Sequence, residues 1–310
     1  MTSISSSGES HAGFKSGDLH QLVTDTIIKQ LEAGTVPWQR PWRGADQPLL
    51  GLPLNAVKNT YYRGVNIVLL WGASLQKGFT SDEWATMQQW NSRKEYIRRG
   101  EQHSKIFFYE MKEKEVEGEI VKRPVLKYFR VFNRCQLQSY EALPAQPHLH
   151  DGTLLVEKVE RIETFVDNTH AMVEHSGTDA FYNRTLDLIS LPEPELFVST
   201  DTCTATEGYY ATLLHELIHW SGAPKRLNRT KGKKFGDTDY AAEELVAELG
   251  AAFLCAGFDI TTADKGNHAS YIDHWLQVLR NDKYFLMRAA SQASKAVDYL
   301  KGIQPTCAPE

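Results

Sequence analysis

The pentapeptide His-Glu-Leu-Ile-His at positions 215–219 restricts the chain more than any other feature. On an α-helix, His215 and His219 lie one turn apart, so both imidazoles project from the same face. Two ligands of one tetrahedral zinc ion need this spacing, and Glu216 can reach a metal-bound water without being a ligand. A capping box at Thr204 and Glu207 predicts where the helix begins. The sequence therefore predicts a metal-binding helix whose histidines are surrounded by apolar side chains such as Leu214, Leu217 and Ile218.

The third metal ligand is expected on the next helical segment, residues 240–257. His-Glu-x-x-His also occurs in helices that bind no metal, and a catalytic zinc ion needs a third protein ligand. The segment is rich in alanine and leucine, yet it carries Glu244 and Glu248 on one face. Two acids on a core-packing helix are costly unless they are neutralised. We predict Glu244 as the third ligand and Glu248 as the hydrogen-bond partner of a ligand histidine. The reverse assignment, or two solvated acids, stays open.

The charge distribution divides the chain into two halves. Residues 1–150 carry 19 basic and 15 acidic side chains, whereas residues 151–310 carry 15 basic and 24 acidic ones, giving net charges of +4 and −9. A chain of 310 residues is long enough for two domains, and the contrast in charge suggests different partners for each. The predicted organisation is a disordered lead-in (1–14), a first domain (15–142), a proline-containing linker (143–155) and a second domain (156–310).

Hydrophobic periodicity predicts an α+β fold in both domains. The first domain is expected to contain a helix from Asp18 to Gly34, a helix over 81–93, and a hairpin of strands near 105–110 and 124–133. The second is expected to be mainly helical with a small sheet. Its hairpin at 180–192 precedes the metal helix and offers an edge for an extended peptide. The basic loop at 225–234 between the two metal helices is expected to be solvated.

Aromatic and basic side chains alternate in two segments of the first domain. Flat rings stack on bases and cations bind phosphates, a combination typical of sites for single-stranded nucleic acids. The alternative is a structural or protein-binding domain in which Trp38 fills the core. The candidate DNA-binding residues are Trp38, Arg40, Trp42, Arg43, Tyr62 and Arg63.

Cysteine usage and the termini favour a cytoplasmic protein. The four cysteines (Cys135, Cys203, Cys255 and Cys307) show no CxxC spacing, which is typical of a reducing compartment. The N-terminus has neither the basic nor the apolar region of a signal peptide. No run approaches the roughly 18 apolar residues of a membrane span. We expect a monomer with no membrane partner.

Longer motifs resemble a known family. His-Glu-x-x-His followed by Glu-x-x-x-acid is similar to the gluzincin metallopeptidases. His-Glu-Leu-Ile-His-Trp-Ser-Gly and Glu-Glu-Leu-Val-Ala-Glu-Leu-Gly, with Val-Pro-Trp-Gln-Arg-Pro-Trp and Tyr-Arg-Gly-Val-Asn in the first half, resemble ArdC-type antirestriction proteins over roughly residues 13–303. The first domain also resembles a domain of some plasmid primases. The resemblance implies a plasmid-borne protein that protects incoming conjugative DNA from host restriction. It also implies a domain that binds single-stranded DNA, followed by a zinc metallopeptidase domain.

Motif and resemblance together predict metal-assisted peptide hydrolysis. Zinc held by His215, His219 and Glu244 would lower the pKa of a water molecule towards ~7, and Glu216 would accept its proton. Candidate substrates are restriction or replication proteins, and binding of duplex DNA is left open. The competing hypothesis is a non-catalytic protein that coats DNA and uses zinc structurally. Glu216 favours hydrolysis, because a structural site needs no general base.

Overall fold

The computed structural model describes residues 16–38, 51–116, 119–141, 156–200, 203–229, 238–261 and 268–305. The helices of this part of the chain are α1 (Ser16–Glu32), α2 (Val65–Lys77), α3 (Met87–Ser92), α4 (Glu160–Asp167), α5 (Ala205–Ser221), α6 (Thr238–Gly257), α7 (His268–Asn281) and α8 (Phe285–Gly302). The strands are β1 (Leu54–Asn55), β2 (Thr60–Tyr61), β3 (Glu83–Ala85), β4 (Ser104–Val116), β5 (Glu119–Asn133), β6 (Met172–His175), β7 (Phe181–Asn183) and β8 (Leu188–Leu191). The α+β prediction is confirmed. The predicted lead-in and linker lie outside the described residues.

A five-stranded sheet in the order β2-β1-β3-β5-β4 forms the first half. Strands β4 and β5 pair antiparallel from Ser104↔Val131 to Val116↔Glu119, so the predicted hairpin is confirmed. Strand β3 pairs with only the last residues of β5, at Asn133 and Phe132. Most of the hairpin therefore extends beyond the sheet as a two-stranded ribbon.

The helix predicted over 81–93 is wrong in its first half. Strand β3 occupies Glu83–Ala85, and the short helix α3 begins only after Thr86. The side chain of Thr86 accepts a hydrogen bond from the backbone of Gln89, and the Gln89 side chain accepts one from the backbone N–H of Thr86. This capping box starts the helix after Thr86, five residues later than Ser81, the first residue of the predicted helix.

A three-stranded sheet in the order β6-β8-β7 precedes the helices of the second half. Strand β8 pairs antiparallel with β7, as the sequence predicted, and parallel with β6, which the sequence analysis missed. Strands β7 and β8 pack against α5. The edge strand β7 is thus held beside the helix that carries the two histidines.

Helices α5, α6 and α8 pack on one another and carry much of the core. The same apolar cluster continues into the first half: Trp38 meets Trp275 edge to face with ring centroids 5.5 Å apart, and Trp71 lies 5.8 Å from Phe253. Burial of such large rings contributes several kcal/mol per pair, on the order of 2–3 kcal/mol for each side chain. The two halves of the chain therefore share a core. None of the helices described is long and apolar enough to cross a membrane.

Candidate metal centre

Two packed helices bring the three predicted metal ligands together. His215 and His219 lie on α5, and Glu244 lies on α6. One ligand atom from each residue lies within 4.8 Å of the other two. Glu244 Oε2 is 3.7 Å from His215 Nε2, and Glu244 Oε1 is 3.5 Å from His219 Nε2. The same nitrogen of each imidazole therefore faces the same carboxylate.

These separations suit a tetrahedral cation. Ligand atoms about 2.0–2.1 Å from a tetrahedral ion are about 3.4 Å from one another, close to the two nitrogen–oxygen distances observed. Both histidines are buried, so the site is shielded from bulk water. Nδ1 of His215 has no hydrogen-bond partner among the described residues, and Glu248 Oε1 is the carboxylate beside it, 3.7 Å away. The residues present therefore fit a divalent metal ion.

Close helix packing at Gly250 makes the meeting of α5 and α6 possible. A Cβ atom added at Gly250 would lie 2.7 Å from Cδ1 and 2.9 Å from Cγ1 of Ile218. Ile218 directly precedes His219 on α5. A side chain at position 250 would force Ile218 or the α6 backbone to move, which would disturb the helix contact behind Glu244 and the imidazoles.

A carboxylate faces the second ring nitrogen of each ligand histidine. Glu248 lies beside His215, as the sequence analysis proposed, and Glu243 accepts a hydrogen bond from Nδ1 of His219 at 3.2 Å. Such partners fix the tautomer and orientation of a ligand histidine and increase its basicity. The role of Glu243 was not predicted, because its acidic neighbour Glu244 explained the sequence pattern equally well.

Glu243 is itself held by a buried arginine. The Arg229 guanidinium donates from Nη2 to Glu243 Oε1 at 2.8 Å and from Nε to Glu243 Oε2 at 3.0 Å. Its remaining donors bind Ser221 Oγ at 2.9 Å and the Ile218 carbonyl at 2.6 Å. A Cβ at Gly222 would lie 2.7 Å from Arg229 Nη2, so only glycine leaves room for this guanidinium. Arg229 therefore ties the end of α5 to α6.

The prediction of a solvated basic loop is wrong for Arg226 and Arg229. Arg229 is buried. The Arg226 guanidinium lies 3.7 Å from the centroid of the Trp220 ring and forms an ion pair with Asp187. The Asp187 carboxylate also accepts a hydrogen bond from the Tyr182 hydroxyl at 2.6 Å. The charge run looked solvated because the acids that neutralise it are distant in sequence.

The electrostatics of the centre favour positive charge. Burial by itself would raise the pKa of Glu244, but contacts with His215 and His219 hold it well below its usual range. Burial opposes protonation of His219, but Glu243 and Glu244, together with the charge of Glu216, raise its pKa to about 10. A buried group of carboxylates that stabilises a cation at this point is suited to a metal ion.

The edge strand β7 reaches the metal centre. Tyr182 and Arg184 line a small crevice together with His219, Arg229 and Glu243. Glu216, the predicted general base, is buried on α5 between the two histidines. The catalytic and metal assignments stay predictions, and their residues lie close together beside the edge strand β7.

The predicted DNA-binding residues do not form one surface among the described residues. Trp38 and Tyr62 are 1% and 6% exposed, so their rings fill the core and are not available for stacking on bases. This corrects the interpretation of both aromatic residues. Arg63 is exposed and paired with Asp298 of α8. Arg40, Trp42 and Arg43 lie outside the described residues.

Comparison with known proteins assigns a family to each half. Residues 17–132 match the N-terminal domain of the anti-restriction factor ArdC, and residues 160–292 match a zincin-like metallopeptidase family. The crystal structure of the antirestriction protein ArdC from plasmid R388, in its metal-free form, matches with a TM-score of 0.77 and 36% sequence identity, over 93% of this chain and 98% of that chain. The chain belongs to the ArdC antirestriction family. The Mn(II)-bound form of R388 ArdC matches with a TM-score of 0.73 and 35% identity, over 93% of this chain and 99% of that one.

Other relatives of this ArdC-type chain differ in length. Protein y4eC of Sinorhizobium fredii is 32% identical over 296 residues, which cover 93% of this chain and 92% of that protein. Two DNA primases TraC of Escherichia coli are each 33% identical over 301 residues, 91% of this chain. This chain spans only 27% and 20% of those primases. The ArdC-type arrangement thus also occurs within much longer proteins.

Proposed function

We propose that this ArdC-type protein binds single-stranded DNA and hydrolyses peptide bonds at a zinc centre, and that it thereby protects incoming conjugative DNA from host restriction in the cytoplasm. The observation that carries the proposal is the convergence of His215, His219 and Glu244 beside the buried Glu216. Two imidazoles and one carboxylate are the protein ligands of known catalytic zinc sites, which keep a fourth position open.

The chain's own residues supply the remaining parts of a hydrolytic site. A bound divalent ion contributes a Lewis acid that polarises a carbonyl and acidifies a water molecule. Glu216 accepts the proton as the water attacks and returns it to the leaving nitrogen. Glu243 orients His219 through a hydrogen bond with its Nδ1, and Glu248, 3.7 Å from Nδ1 of His215, is the carboxylate that would orient His215. The edge of β7 offers backbone donors and acceptors to an extended peptide.

A non-catalytic protein that coats DNA is the competing candidate, with the metal serving structure alone. The specific observation against it is Glu216, an acid buried on the metal helix without any ligand role. Burial of a carboxylate costs free energy, and a structural site offers nothing in return for it. A restriction or replication protein close to the entering strand is the substrate class that suits a DNA-tethered peptidase.

Substitution of Glu216 by Gln separates the two candidates. The measurement is plasmid transfer into a restricting host, with metal content and binding of single-stranded DNA determined on the same protein. If peptide hydrolysis is needed, Glu216→Gln should no longer protect the transferred plasmid from restriction, although it still binds the metal ion and single-stranded DNA as the wild type does. The exposed acid Glu195, changed to Gln, is the matched control. Full protection by Glu216→Gln would leave the coating function alone.

A further inference from the structure

Two basic residues face each other directly across the β4–β5 ribbon. Lys105 and Arg130 are register partners in the antiparallel ladder. Like charges at directly opposite positions destabilise a sheet, because their Cβ atoms are only about 5 Å apart. Neither side chain forms an ion pair with a carboxylate within the described ranges of the chain. The pair therefore costs stability unless an anion neutralises it.

Two further basic groups lie beside this pair. The pKa of His103 is lowered, first by burial and then by the positive charges of Arg130, Lys105 and Lys77. Lys77 ends helix α2, where it donates to the Gln102 carbonyl at 2.8 Å. The neighbouring acid Glu101 is occupied by Arg98 and by Gln136, with Oε–N distances of 2.8 and 2.9 Å. Glu101 thus offsets only part of the positive charge at this end of the ribbon, and neither Lys105 nor Arg130 is among its partners.

Two tyrosines lie on the same face of the ribbon as the Lys105–Arg130 pair. Alternate residues of a strand share a face, so Tyr109 lies on the side of Lys105, and Tyr128 on the side of Arg130. The Lys105 ammonium lies 5.6 Å from the centroid of the Tyr128 ring. Tyr109 is 55% exposed although its hydroxyl lies 2.7 Å from His20 Nε2. Between them on this face, Phe107 and Leu126 are buried and Tyr128 packs half-buried against the core. The exposed groups of the face are therefore Arg130 and Tyr109, with Lys105 half-exposed.

The opposite face of the same ribbon differs in its charge. There Lys127 forms an ion pair with Glu110, which neutralises it. The exposed rings of Phe108 and Phe129 contact each other edge to face, with centroids 5.8 Å apart. Among the ribbon residues whose side chains the structure describes (104–110 and 125–133), the cations without a carboxylate partner therefore lie on the first face.

We propose that the ribbon surface formed by Lys77, Lys105 and Arg130, with the exposed ring of Tyr109, is the binding surface for single-stranded DNA. The inference rests on the proposed DNA-binding function and gives it a location that the sequence did not indicate. Phosphates neutralise the opposed Lys105–Arg130 pair, and the exposed Tyr109 ring stacks on a base without regard to sequence. Single-stranded DNA is the ligand that fits, because its phosphates are complementary in charge to cations that have no carboxylate partner.

The test is binding of fluorescein-labelled dT20 to the full-length protein by anisotropy, between 50 and 300 mM salt. The variants are Arg130→Gln, which changes an exposed side chain, and the double variant Lys105→Gln/Arg130→Gln. Lys127→Gln, on the other face of β5, is the matched control. Circular dichroism and thermal unfolding verify that each variant is folded.

The proposal predicts about tenfold or greater loss of affinity in the double variant and a smaller loss in Arg130→Gln. Each lost phosphate contact reduces the slope of log affinity against log salt by about 0.7, so the double variant should lose roughly 1.4. Lys127→Gln should bind like the wild type. Wild-type binding by the double variant would overturn this surface and leave the DNA-binding function intact. Failure of the wild-type protein to bind dT20 would overturn both.

Discussion

Glu243 Oε1 lies 3.2 Å from Nδ1 of His219, opposite the ring nitrogen that faces Glu244. Glu243 of α6 thus orients the imidazole of His219 on α5. The adjacent Glu244 faces the other nitrogen of that imidazole, where the metal ion is expected. Because Arg229 holds Glu243 through two hydrogen bonds, the orientation of His219 depends on a side chain from the loop between the helices.

Replacing Glu243 by Gln should weaken metal binding without removing a ligand. The amide keeps the shape of the carboxylate but loses the charge that makes His219 a stronger ligand. Competition with a chromogenic chelator should show a 10–100-fold loss of zinc affinity. The exposed Glu174→Gln is the control and should keep wild-type affinity. Unchanged affinity in Glu243→Gln would show that Glu243 serves packing alone.

Replacing Arg229 by Met should destabilise the fold strongly. It removes the guanidinium partner of the buried Glu243 carboxylate and leaves His219 as its remaining partner among those described, which costs about 3–5 kcal/mol. Urea unfolding of the metal-free protein measures the loss. The double variant Arg229→Met/Glu243→Gln should recover part of it, because it removes the buried carboxylate that has lost its guanidinium partner. Strictly additive losses would contradict direct coupling between the two side chains.

Adding a methyl group at Gly250 should disturb the helix contact behind the metal centre. Gly250→Ala forces Ile218 or the α6 backbone to move and should cost about 1–3 kcal/mol of unfolding free energy, with lower zinc affinity. Gly257→Ala, at the end of the same helix, meets no atom within 4 Å and is the control. Equal stability of the two variants would rule out close packing as the reason for Gly250.

Asp187 should contribute stability that disappears in acid. Its partner Arg226, with Lys225 and Tyr182, holds the pKa of the carboxyl well below its usual range. A group with a lowered folded-state pKa stabilises the protein above its unfolded pKa of about 3.9, and the contribution is lost as the pH falls below that value. Asp187→Asn should therefore cost about 2 kcal/mol at pH 7.

The difference between wild type and Asp187→Asn should shrink as unfolding is measured from pH 6 down to pH 3. Asp298→Asn, which removes an exposed ion pair with Arg63, should cost less than about 1 kcal/mol at pH 7. A pH-independent difference for Asp187→Asn would mean that the carboxyl's charge is not what stabilises the loop.

Local patterns were enough to predict the metal helices but not their surroundings. The spacing of His215 and His219 and the acids of α6 depend on helix geometry alone, which the sequence encodes within a few residues. The burial of Arg229 depends on Glu243, 14 residues away, and that of Arg226 on Asp187, 39 residues away. Periodicity within one segment does not contain such pairings.

The first half shows the same limit for aromatic residues. Trp38 alternates with basic residues as a nucleic-acid site would, yet it packs against Trp275 in the shared core. The sequence gives no sign of that partner, because it lies more than 200 residues away. The opposed charges of Lys105 and Arg130 likewise became visible only from the register of β4 and β5.

Metal content of the purified protein tests the central claim most directly. The wild type should bind about one zinc ion per chain through His215, His219 and Glu244, the number expected for a single tetrahedral site. Glu244→Ala should lose it, and Glu248→Ala should retain it with lower affinity. A wild-type protein that binds no metal after zinc is supplied, or a Glu244→Ala variant that binds zinc as tightly as the wild type, would contradict the assigned centre.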